Sequence, residues 1–197
     1  MPRIYSYVIT HDYGFAPNPF GGICTLATCK PVIRRSARKG DWLIGTGSAT
    51  KGLAKTVIYA AQIDTVCSIA EYGSNPVYEI KRPVASGTYE QKCGDNIYFR
   101  GPDGEWIQRE SEHHCPDHMN HDLSGQNVLI ASRFWYFGDT PKVLPDHFLR
   151  IIKKGPGHKI ETSLAFIAML EQWLSQFTRG PTSQPFHGKH KGSCPPC

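Results

Sequence analysis

Residues with metal-binding and acid–base chemistry are concentrated in one segment, residues 111–122, with the sequence SEHHCPDHMNHD. Its reactive side chains are His113, His114, Cys115, Asp117, His118, His121 and Asp122. Imidazole, thiolate and carboxylate groups are all zinc ligands, but a structural zinc site usually has two well-spaced ligand pairs, and here they crowd one loop. We therefore expect neither a metal nor a cofactor. The histidines are then polar loop residues, which contact an anionic ligand or titrate at the edge of a site.

The same histidines support a hypothesis of catalysis, because an imidazole with a pKa near neutrality suits general acid–base work. In this hypothesis His113 and His114 act with an acidic partner, Asp12 or Asp95, beside Asn96. The reaction is group transfer or hydrolysis on a modified nucleotide or base. Convergence of these side chains on one pocket would favour the hypothesis, and scattered positions would remove it.

The opening loop, residues 12–22, has the sequence DYGFAPNPFGG and combines prolines, glycines and aromatic residues. Proline fixes φ, whereas glycine permits positive φ and the close approach of a ligand. Two interpretations stay open. The loop is either an Ω-loop packed by its own Phe15 and Phe20, or a loop that lines a ligand site.

In the second interpretation the stiffened aromatic rings hold a flat base, and Asp12, Asn18 or backbone groups read its edge. A second ligand contact is expected from GTGS, residues 45–48, whose backbone N–H groups face an anion although the P-loop pattern is absent. The predicted ligand-binding residues are Tyr13, Phe15, Asn18, Phe20, Trp42, Thr46, Ser48 and Asn96.

Two basic segments are candidate contacts to nucleic acid phosphates, since guanidinium and ammonium groups bind phosphate while nearby aromatic rings stack on bases. The alternative is that both are solvated surfaces. The predicted nucleic-acid-binding residues are Arg34, Arg35, Arg38, Lys39, Lys153, Lys154 and His158.

Composition and charge are those of an ordinary soluble globular protein. The chain has 197 residues, 40% of them hydrophobic, and its formal charge of +5 permits contact with a polyanion without requiring it. No leader pattern and no apolar run of about 20 residues is present, so a cytoplasmic protein with no membrane contact is expected.

One globular domain is predicted over residues 1–180, followed by a flexible polar tail rich in proline and glycine at residues 181–197. The tail contains Cys194 and Cys197 in a C-x-x-C spacing, without the βαβ context of a redox motif. Metal coordination in the tail is weakly supported.

The elements that position these residues are mainly strands. Strands are predicted in residues 4–10, 42–45, 56–62 and 127–138, and a hairpin around residues 101–104. Apolar residues at helical spacing predict one long C-terminal helix over residues 160–177. The fold class is therefore α+β: a small curved mixed sheet or open β-barrel, with peripheral helices and that long C-terminal helix.

Several segments, in order, resemble the nucleotide modification associated domain 2 family of bacteria and phages. They are YVITHDYGFAPNPFGGICTLATCKPVIRRSARKGDWLIGTGS, VIYAAQI, GDNIYF, SEHH, VLIASRFWYFG and GPGHK. The resemblance covers residues 4–180 and implies a context of DNA base modification, without a catalytic mechanism to carry over. The segments KGDWLIGTGS and TVIYAAQIDTV are also similar to PUA-like domains of the EVE and YTH groups, which implies a barrel with an aromatic pocket for a modified base.

The leading hypothesis is a nucleic-acid-associated module that recognises a nucleotide or modified base in DNA and is accessory to base modification or its sensing. Its expected partners are DNA or a nucleotide, and base-modifying enzymes. The enzyme described above is the alternative. A third possibility is a structural or partner-binding protein whose aromatic residues all lie in the core.

Overall fold

The structure is a computed structural model that describes residues 1–187. Within this range the fold has twelve strands and five α-helices. The strands are β1 Ile4–Ile9, β2 Cys24–Leu26, β3 Trp42–Gly47, β4 Thr56–Gln62, β5 Thr65–Ser68, β6 Tyr98–Arg100, β7 Trp106–Gln108, β8 Asn127–Ala131, β9 Arg133–Tyr136, β10 Lys142–Val143, β11 His158–Glu161 and β12 Gly180–Pro181. The helices are α1 Pro31–Ser36, α2 Ile69–Ser74, α3 Tyr89–Lys92, α4 Met119–Leu123 and α5 Leu164–Leu174. Short 3-10 helices lie at Ala49–Lys51, Pro76–Lys81, Pro116–His118 and Asp146–Ile151.

The main sheet has seven strands in the order β11–β1–β3–β4–β9–β12, with β10 also paired to β4. The pairs β1–β3 and β9–β12 are parallel, and the other pairs are antiparallel. A mixed sheet in an α+β fold is therefore confirmed. The sheet is open, since β11 and β12 end the strand order without pairing to each other, so the barrel alternative is not confirmed.

Both faces of the main sheet are covered. Tyr7 of β1 faces a core shared with the three-stranded sheet β2–β8–β5, whereas Ile4 of the same strand faces a core built with α5. This double burial explains why the strands are apolar almost throughout rather than alternating. A third core lies where β8 meets α2 and the β6–β7 hairpin, and it includes Phe15 of the opening loop.

The apolar segment at residues 127–138 forms two strands in different sheets, with β8 paired to β2 and β9 paired to β4. Between them, the backbone N–H and hydroxyl of Ser132 both donate to Asp64 Oδ2, at 2.5 and 2.6 Å. These bonds fix the chain where it leaves one sheet and enters the other. The predicted β6–β7 hairpin is confirmed, with Arg100 opposite Trp106.

The long C-terminal helix predicted over residues 160–177 is not confirmed. Helix α5 has 11 residues, Leu164–Leu174, and Ile160 instead pairs with Tyr5 at the edge of the main sheet. The side chain of Ser163 accepts a hydrogen bond from the N–H of Phe166 and so caps the start of the helix. The apolar periodicity is correct only inside these bounds.

Residues 180–187 run along the domain. Gly180 pairs with Trp135 of β9, the N–H of Thr182 donates to the carbonyl of Tyr136, and the N–H of Asp139 donates to the carbonyl of Gln184. The composition favoured a flexible tail from residue 181, whereas these contacts hold residues 181–187 against the sheet. The division at residue 180 stays a prediction, and Cys194 and Cys197 lie outside the described residues.

None of the helices described in residues 1–187 has the length and apolar character needed to cross a lipid bilayer.

Candidate functional site

A cleft of about 60 Å³ lies at the carboxyl end of β1. Three parts of the chain complete it: the first half of the opening loop, the two residues that precede α1, and two consecutive histidines before the 3-10 helix Pro116–His118. Its lining includes the side chains of Tyr13, Phe15, Cys29, Lys30, His113 and His114. The cleft thus joins segments that are far apart in sequence.

Aromatic rings form the walls of the cleft. The ring of His113 is stacked on Phe15 at 5.1 Å between centroids and on Tyr13 at 5.9 Å. Phe15 is buried, whereas Tyr13 is partly exposed at the rim. An apolar cavity of about 150 Å³ holds a benzene ring. This cleft is smaller, so a whole base does not fit inside it, and at the rim the ring of His11 stacks on Tyr13 with centroids 6.2 Å apart.

Asp122 of α4 is the centre of a buried hydrogen-bond network beside the cleft. Its Oδ1 accepts the backbone N–H of Cys29 at 2.6 Å. Its Oδ2 accepts the hydroxyl of Tyr98 at 2.9 Å and lies 2.8 Å from Nδ1 of His114. One carboxylate therefore links α4, β6, the histidine pair and the chain before α1.

The second nitrogen of His114 reaches a thiol. Its Nε2 lies 3.6 Å from Sγ of Cys29, so the imidazole stands between the carboxylate of Asp122 and this sulfur. Donation from Nδ1 to the carboxylate orients the ring and turns Nε2 toward Cys29. A nucleophile, a base and an orienting carboxylate in this order are the arrangement of cysteine-dependent hydrolases and transferases.

The backbone at Cys29 is strained. Cys29 and Lys30 have φ values of 53° and 43°, in the left-handed region that side chains other than glycine rarely adopt. Such a conformation costs about 1–3 kcal/mol per residue and persists only where surrounding contacts hold it, often at functional sites. Here the bond from Cys29 N–H to Asp122 and the fixed φ of Pro31 hold the turn.

Arg34 of α1 is fully buried and hydrogen bonds to the same network. Its Nε donates to the carbonyl of Cys29 at 2.7 Å, one terminal nitrogen donates to the carbonyl of Asn127 at 2.9 Å, and the other donates to the carbonyl of Asp122. The guanidinium also lies 3.9 Å from the Asp122 carboxylate. It therefore compensates a buried negative charge and fixes the turn that carries Cys29.

The pKa values of His114 and Asp122 are shifted away from their ordinary values. Burial by itself lowers the pKa of His114, but the hydrogen bonds to Asp122 and Cys29 outweigh burial and raise this pKa to about 9. Burial raises the pKa of Asp122, but the bond and charge of His114, with Arg34, hold it below its usual value. At neutral pH an imidazolium therefore lies beside the Cys29 sulfur, an environment that favours a thiolate.

A family model described as nucleotide modification associated domain 2 matches residues 1–192. The chain belongs to this family. The match confirms the resemblance seen in the sequence and associates the fold with nucleotide modification. No match to the chain was found among curated proteins or among solved structures.

In this nucleotide modification associated domain 2, the two predicted acidic partners lie outside the cleft. Asp12 accepts the hydroxyl of Tyr136 at 2.6 Å, and Asp95 accepts the hydroxyls of Thr25 at 2.6 Å and Tyr72 at 2.7 Å. Burial raises the pKa of both carboxyl groups. The carboxylate that contacts a predicted histidine is Asp122.

Asp12 has a structural role at the rim. Its Oδ2 accepts the backbone N–H of Phe186 at 3.2 Å, and its own N–H donates to Nδ1 of His187 at 3.0 Å. The His187 ring lies 5.4 Å from that of Tyr13. Asp12 therefore anchors the last described residues beside the cleft.

The first half of the opening loop lines the cleft, and the second half is packed within the protein. Tyr13 and Phe15 line the cleft, whereas Asn18 is buried and donates to the carbonyls of Gly14 at 3.1 Å and Cys93 at 2.7 Å. Asn18 Oδ1 accepts from Lys81 at 2.7 Å. The ammonium of Lys81 also donates to two carbonyls of the loop, those of Asn18 and Phe20, and to that of Ile23 just after it, so this half of the loop is packed as an Ω-loop.

The four remaining ligand-binding predictions belong to the framework of the family domain. Trp42 stacks on Trp135 in the core, with centroids 6.1 Å apart. Thr46, Ser48 and Asn96 are buried, and their side chains hydrogen bond within the fold. None of the four lines the cleft, because each faces the interior of the protein rather than the end of β1.

The predicted phosphate contacts fall into three groups. Arg34 is buried and unavailable to a phosphate, whereas the side chains of Arg35, Arg38 and Lys39 are exposed. The third group, Lys153, Lys154 and His158, lies at and before the edge strand β11, where burial lowers the pKa of His158. Within residues 1–187, no three His, Cys, Asp or Glu side chains form a group able to hold a metal ion.

Sequence reasoning did not name Cys29 as a candidate site residue, because a small apolar cysteine is usually a core residue. It missed the buried Lys81 altogether and assigned Arg34 to the surface. Asp122 was noticed only as one ligand-type residue among several. The positive φ of Cys29 distinguishes this residue in the structure, but a backbone angle of this kind cannot be inferred from the residue type.

Proposed function

We propose that the cleft binds a nucleobase or its modifying group, and that the domain recognises a nucleotide or modified base in DNA during base modification. The single observation that carries the proposal is the stack of Tyr13, His113 and Phe15 at an open cleft in a chain of this family. Stacked aromatic side chains hold a base with about 1–3 kcal/mol and tolerate different bases.

Polar groups at the mouth support recognition beyond stacking. Thr10 and His11 are exposed there, and Lys30 supplies an ammonium group within the lining. A positive charge beside a stacking surface suits a nucleotide, whose phosphate carries the negative charge. The geometry therefore matches a nucleotide better than an uncharged planar ring.

The exposed basic residues that follow Lys30 extend this argument to DNA. Arg35 lies five positions further along the chain, on α1, and Arg38 and Lys39 follow the end of the helix. A helix rises about 1.5 Å per residue, so these charges begin within about 8 Å of Lys30 along the axis. In this proposal they hold a DNA backbone while one nucleotide lies at the cleft.

A second candidate function is enzymatic action on the modified nucleotide, by group transfer or hydrolysis. The contact of His114 with both Asp122 and Cys29 favours it, because the predicted histidine then has an acidic partner and a nucleophile. In this candidate the base is recognised by the same aromatic rings.

The test of recognition is calorimetric titration with deoxynucleoside monophosphates and with DNA duplexes that carry plain or 5-hydroxymethylated pyrimidines. Tyr13→Ala is expected to weaken binding about tenfold, which corresponds to about 1.4 kcal/mol of stacking energy. Tyr78→Ala is the matched control. Tyr78 is a partly buried tyrosine outside the cleft, and its ring lies 4.8 Å from that of Tyr72 in a tilted orientation. Equal weakening in both variants, or no binding of any probe by the unmodified chain, would contradict the proposal.

A further inference from the structure

We infer that Cys29 is the nucleophile of a thiol-dependent acyl transfer or hydrolysis, with His114 as its acid–base group and Asp122 as a positioning residue. The substrate class rests on the proposed function: an ester, thioester or amide acyl group carried by a nucleotide or modified base. Nucleophile and acid–base group both line the cleft, and the carboxylate lies directly behind the imidazole.

The surroundings of Cys29 differ from those of three other cysteines. Cys24, Cys67 and Cys93 are buried thiols whose pKa burial raises to about 12. None of the three lines the cleft. Cys29 lines it in a left-handed backbone conformation and contacts an imidazole, so geometry and environment distinguish this thiol.

The size of the cleft limits the group that reaches the sulfur. Its volume of about 60 Å³ is well below that of an apolar cavity that holds benzene, about 150 Å³. A small acyl group of a few heavy atoms fits beside Cys29 without any movement of the walls. In this inference the planar base lies outside the cleft, at the rim formed by the stacked rings of Tyr13 and His11.

The reaction balances without an oxidant or reductant. The Cys29 thiolate attacks the acyl carbon, the bond from that carbon to the leaving oxygen, sulfur or nitrogen breaks, and the Nε2 proton of His114 goes to the leaving atom. The product is a thioester on Cys29. Water or an amine then attacks the thioester, gives its proton to His114, and restores the thiolate and imidazolium pair.

Charged and titratable groups from every neighbouring element face this pair and set its pH response. They are Asp122 from α4, Arg34 from α1, Tyr98 from β6, Tyr7 from β1, Lys30 before α1, and His113 and His118 from the segment of His114 itself. Arg34 and Asp122 compensate each other. The charge balance at the sulfur therefore depends mainly on His114.

Alkylation with iodoacetamide, followed by mass spectrometry of the Cys29 peptide, tests the activation of the thiol on the whole chain. An ordinary thiol with a pKa of about 8.5 is only about 0.3% ionised at pH 6. A thiolate held by His114 is expected to react about tenfold faster than a reference thiol at pH 6, since greater ionisation outweighs lower intrinsic nucleophilicity. The rate should stay nearly constant between pH 6 and 8.

Variants separate activation from folding. His114→Gln is expected to restore the steep pH dependence of an ordinary thiol, and Tyr98→Phe, which leaves Asp122 its other bonds, should shift the profile only part of the way. His121→Gln, an exposed histidine of the same segment, is the matched control. An ordinary profile in the unmodified chain, or the same flat profile in His114→Gln, would overturn the inference.

Covalent chemistry is tested with p-nitrophenyl acetate. One p-nitrophenol per chain should be released in a burst, with the acetyl group found on Cys29, and Cys29→Ser should abolish that thioester. No acetylation of Cys29, or tightly bound zinc released when Cys29 is alkylated, would refute a nucleophilic role. Protection of Cys29 by nucleotides reports on the proposed function separately. If the thiol is activated but no nucleotide protects it, the inferred thiol chemistry stands, and the proposed recognition of a nucleotide at the cleft is contradicted.

Discussion

Arg34 and Arg35 are neighbours in α1, yet the guanidinium of Arg34 is fully buried while that of Arg35 is exposed. Arg34 donates to the carbonyl of Cys29, whereas Arg35 donates to the carbonyl of Ser124 at the surface. The basic segment therefore contains one framework residue and several solvent-facing charges. Substitution of Arg34 should therefore affect stability, whereas substitution of the exposed residues should affect DNA binding.

The exposed charges are expected to contribute to DNA binding. Arg35→Ala combined with Arg38→Ala should weaken binding of a duplex and reduce the slope of log K against log salt by up to about 1.8, at about 0.9 for each phosphate that the variant no longer neutralises. The thermal midpoint should change little, because both side chains lie at the surface. An unchanged salt slope, measured by fluorescence anisotropy, would exclude binding of phosphates by these residues.

The buried arginine is expected to affect stability instead. Arg34→Met removes the cation next to Asp122 and leaves three backbone carbonyls without this donor. Loss of one member of a buried charge pair costs about 3–5 kcal/mol, which should appear as a lower urea midpoint. Arg35→Met in the same helix is the control. Equal midpoints in the two variants would contradict the buried role.

Stability should depend on pH through His114. Its pKa is about 9 in the folded protein and about 6.5 in an unfolded chain, so the folded state binds more protons between these values. Its contribution, about 3 kcal/mol, is complete below about pH 6.5 and is lost as the pH rises through about 9. The free energy of unfolding should therefore fall over this window in Cys29→Ser, where no thiol titrates; in the unmodified chain the proton that the inferred Cys29 thiolate has released offsets this fall up to about pH 8.5.

Urea unfolding of Cys29→Ser, with and without His114→Gln, at pH 6 and at pH 9.5, measures this contribution without a titrating thiol. The stability difference between the two proteins should shrink by about 3 kcal/mol at the higher pH. His121→Gln added to Cys29→Ser should leave the stability of Cys29→Ser unchanged at both pH values. A difference that stays constant with pH would mean that His114 is not protonated beside Asp122.

The second half of the opening loop should be sensitive to loss of Asn18. The Asn18 side chain makes buried hydrogen bonds to Gly14, Cys93 and Lys81. Asn18→Ala leaves several of these groups unpaired and should cost about 3 kcal/mol in urea unfolding. Asn120→Ala, at an asparagine outside this network, is expected to change stability by less than about 0.5 kcal/mol. Similar values for both would show that Asn18 does not hold the loop.

Local sequence signals predicted local structure well. The β-branched and aromatic residues of β1 and the turn residues before Trp106 predicted a strand and a hairpin that the structure contains. The C-terminal helix was predicted too long, because the pairing of Ile160 with Tyr5 is a tertiary contact that periodicity cannot register. The change of sheet at Ser132 likewise depends on a bond to Asp64, 68 residues away.

The site was predicted only in part for the same reason. Tyr13, Phe15 and the two histidines were expected at a ligand site, and they line the cleft. The contact of Cys29 with His114 spans 85 residues of chain, so residue type alone did not point to this cysteine. A carboxylate partner was expected, but Asp12 and Asp95 were chosen, and each is hydrogen bonded elsewhere.

The anchoring of Phe186 and His187 by Asp12 has a practical consequence for assays. A tag or immobilisation handle joined downstream of these residues starts from the rim of the cleft, where it competes with the probe. Met1 is fully exposed, and β1 places about 17 Å between its first residue and the cleft end. Coupling through the amino terminus therefore keeps the handle clear of the opening.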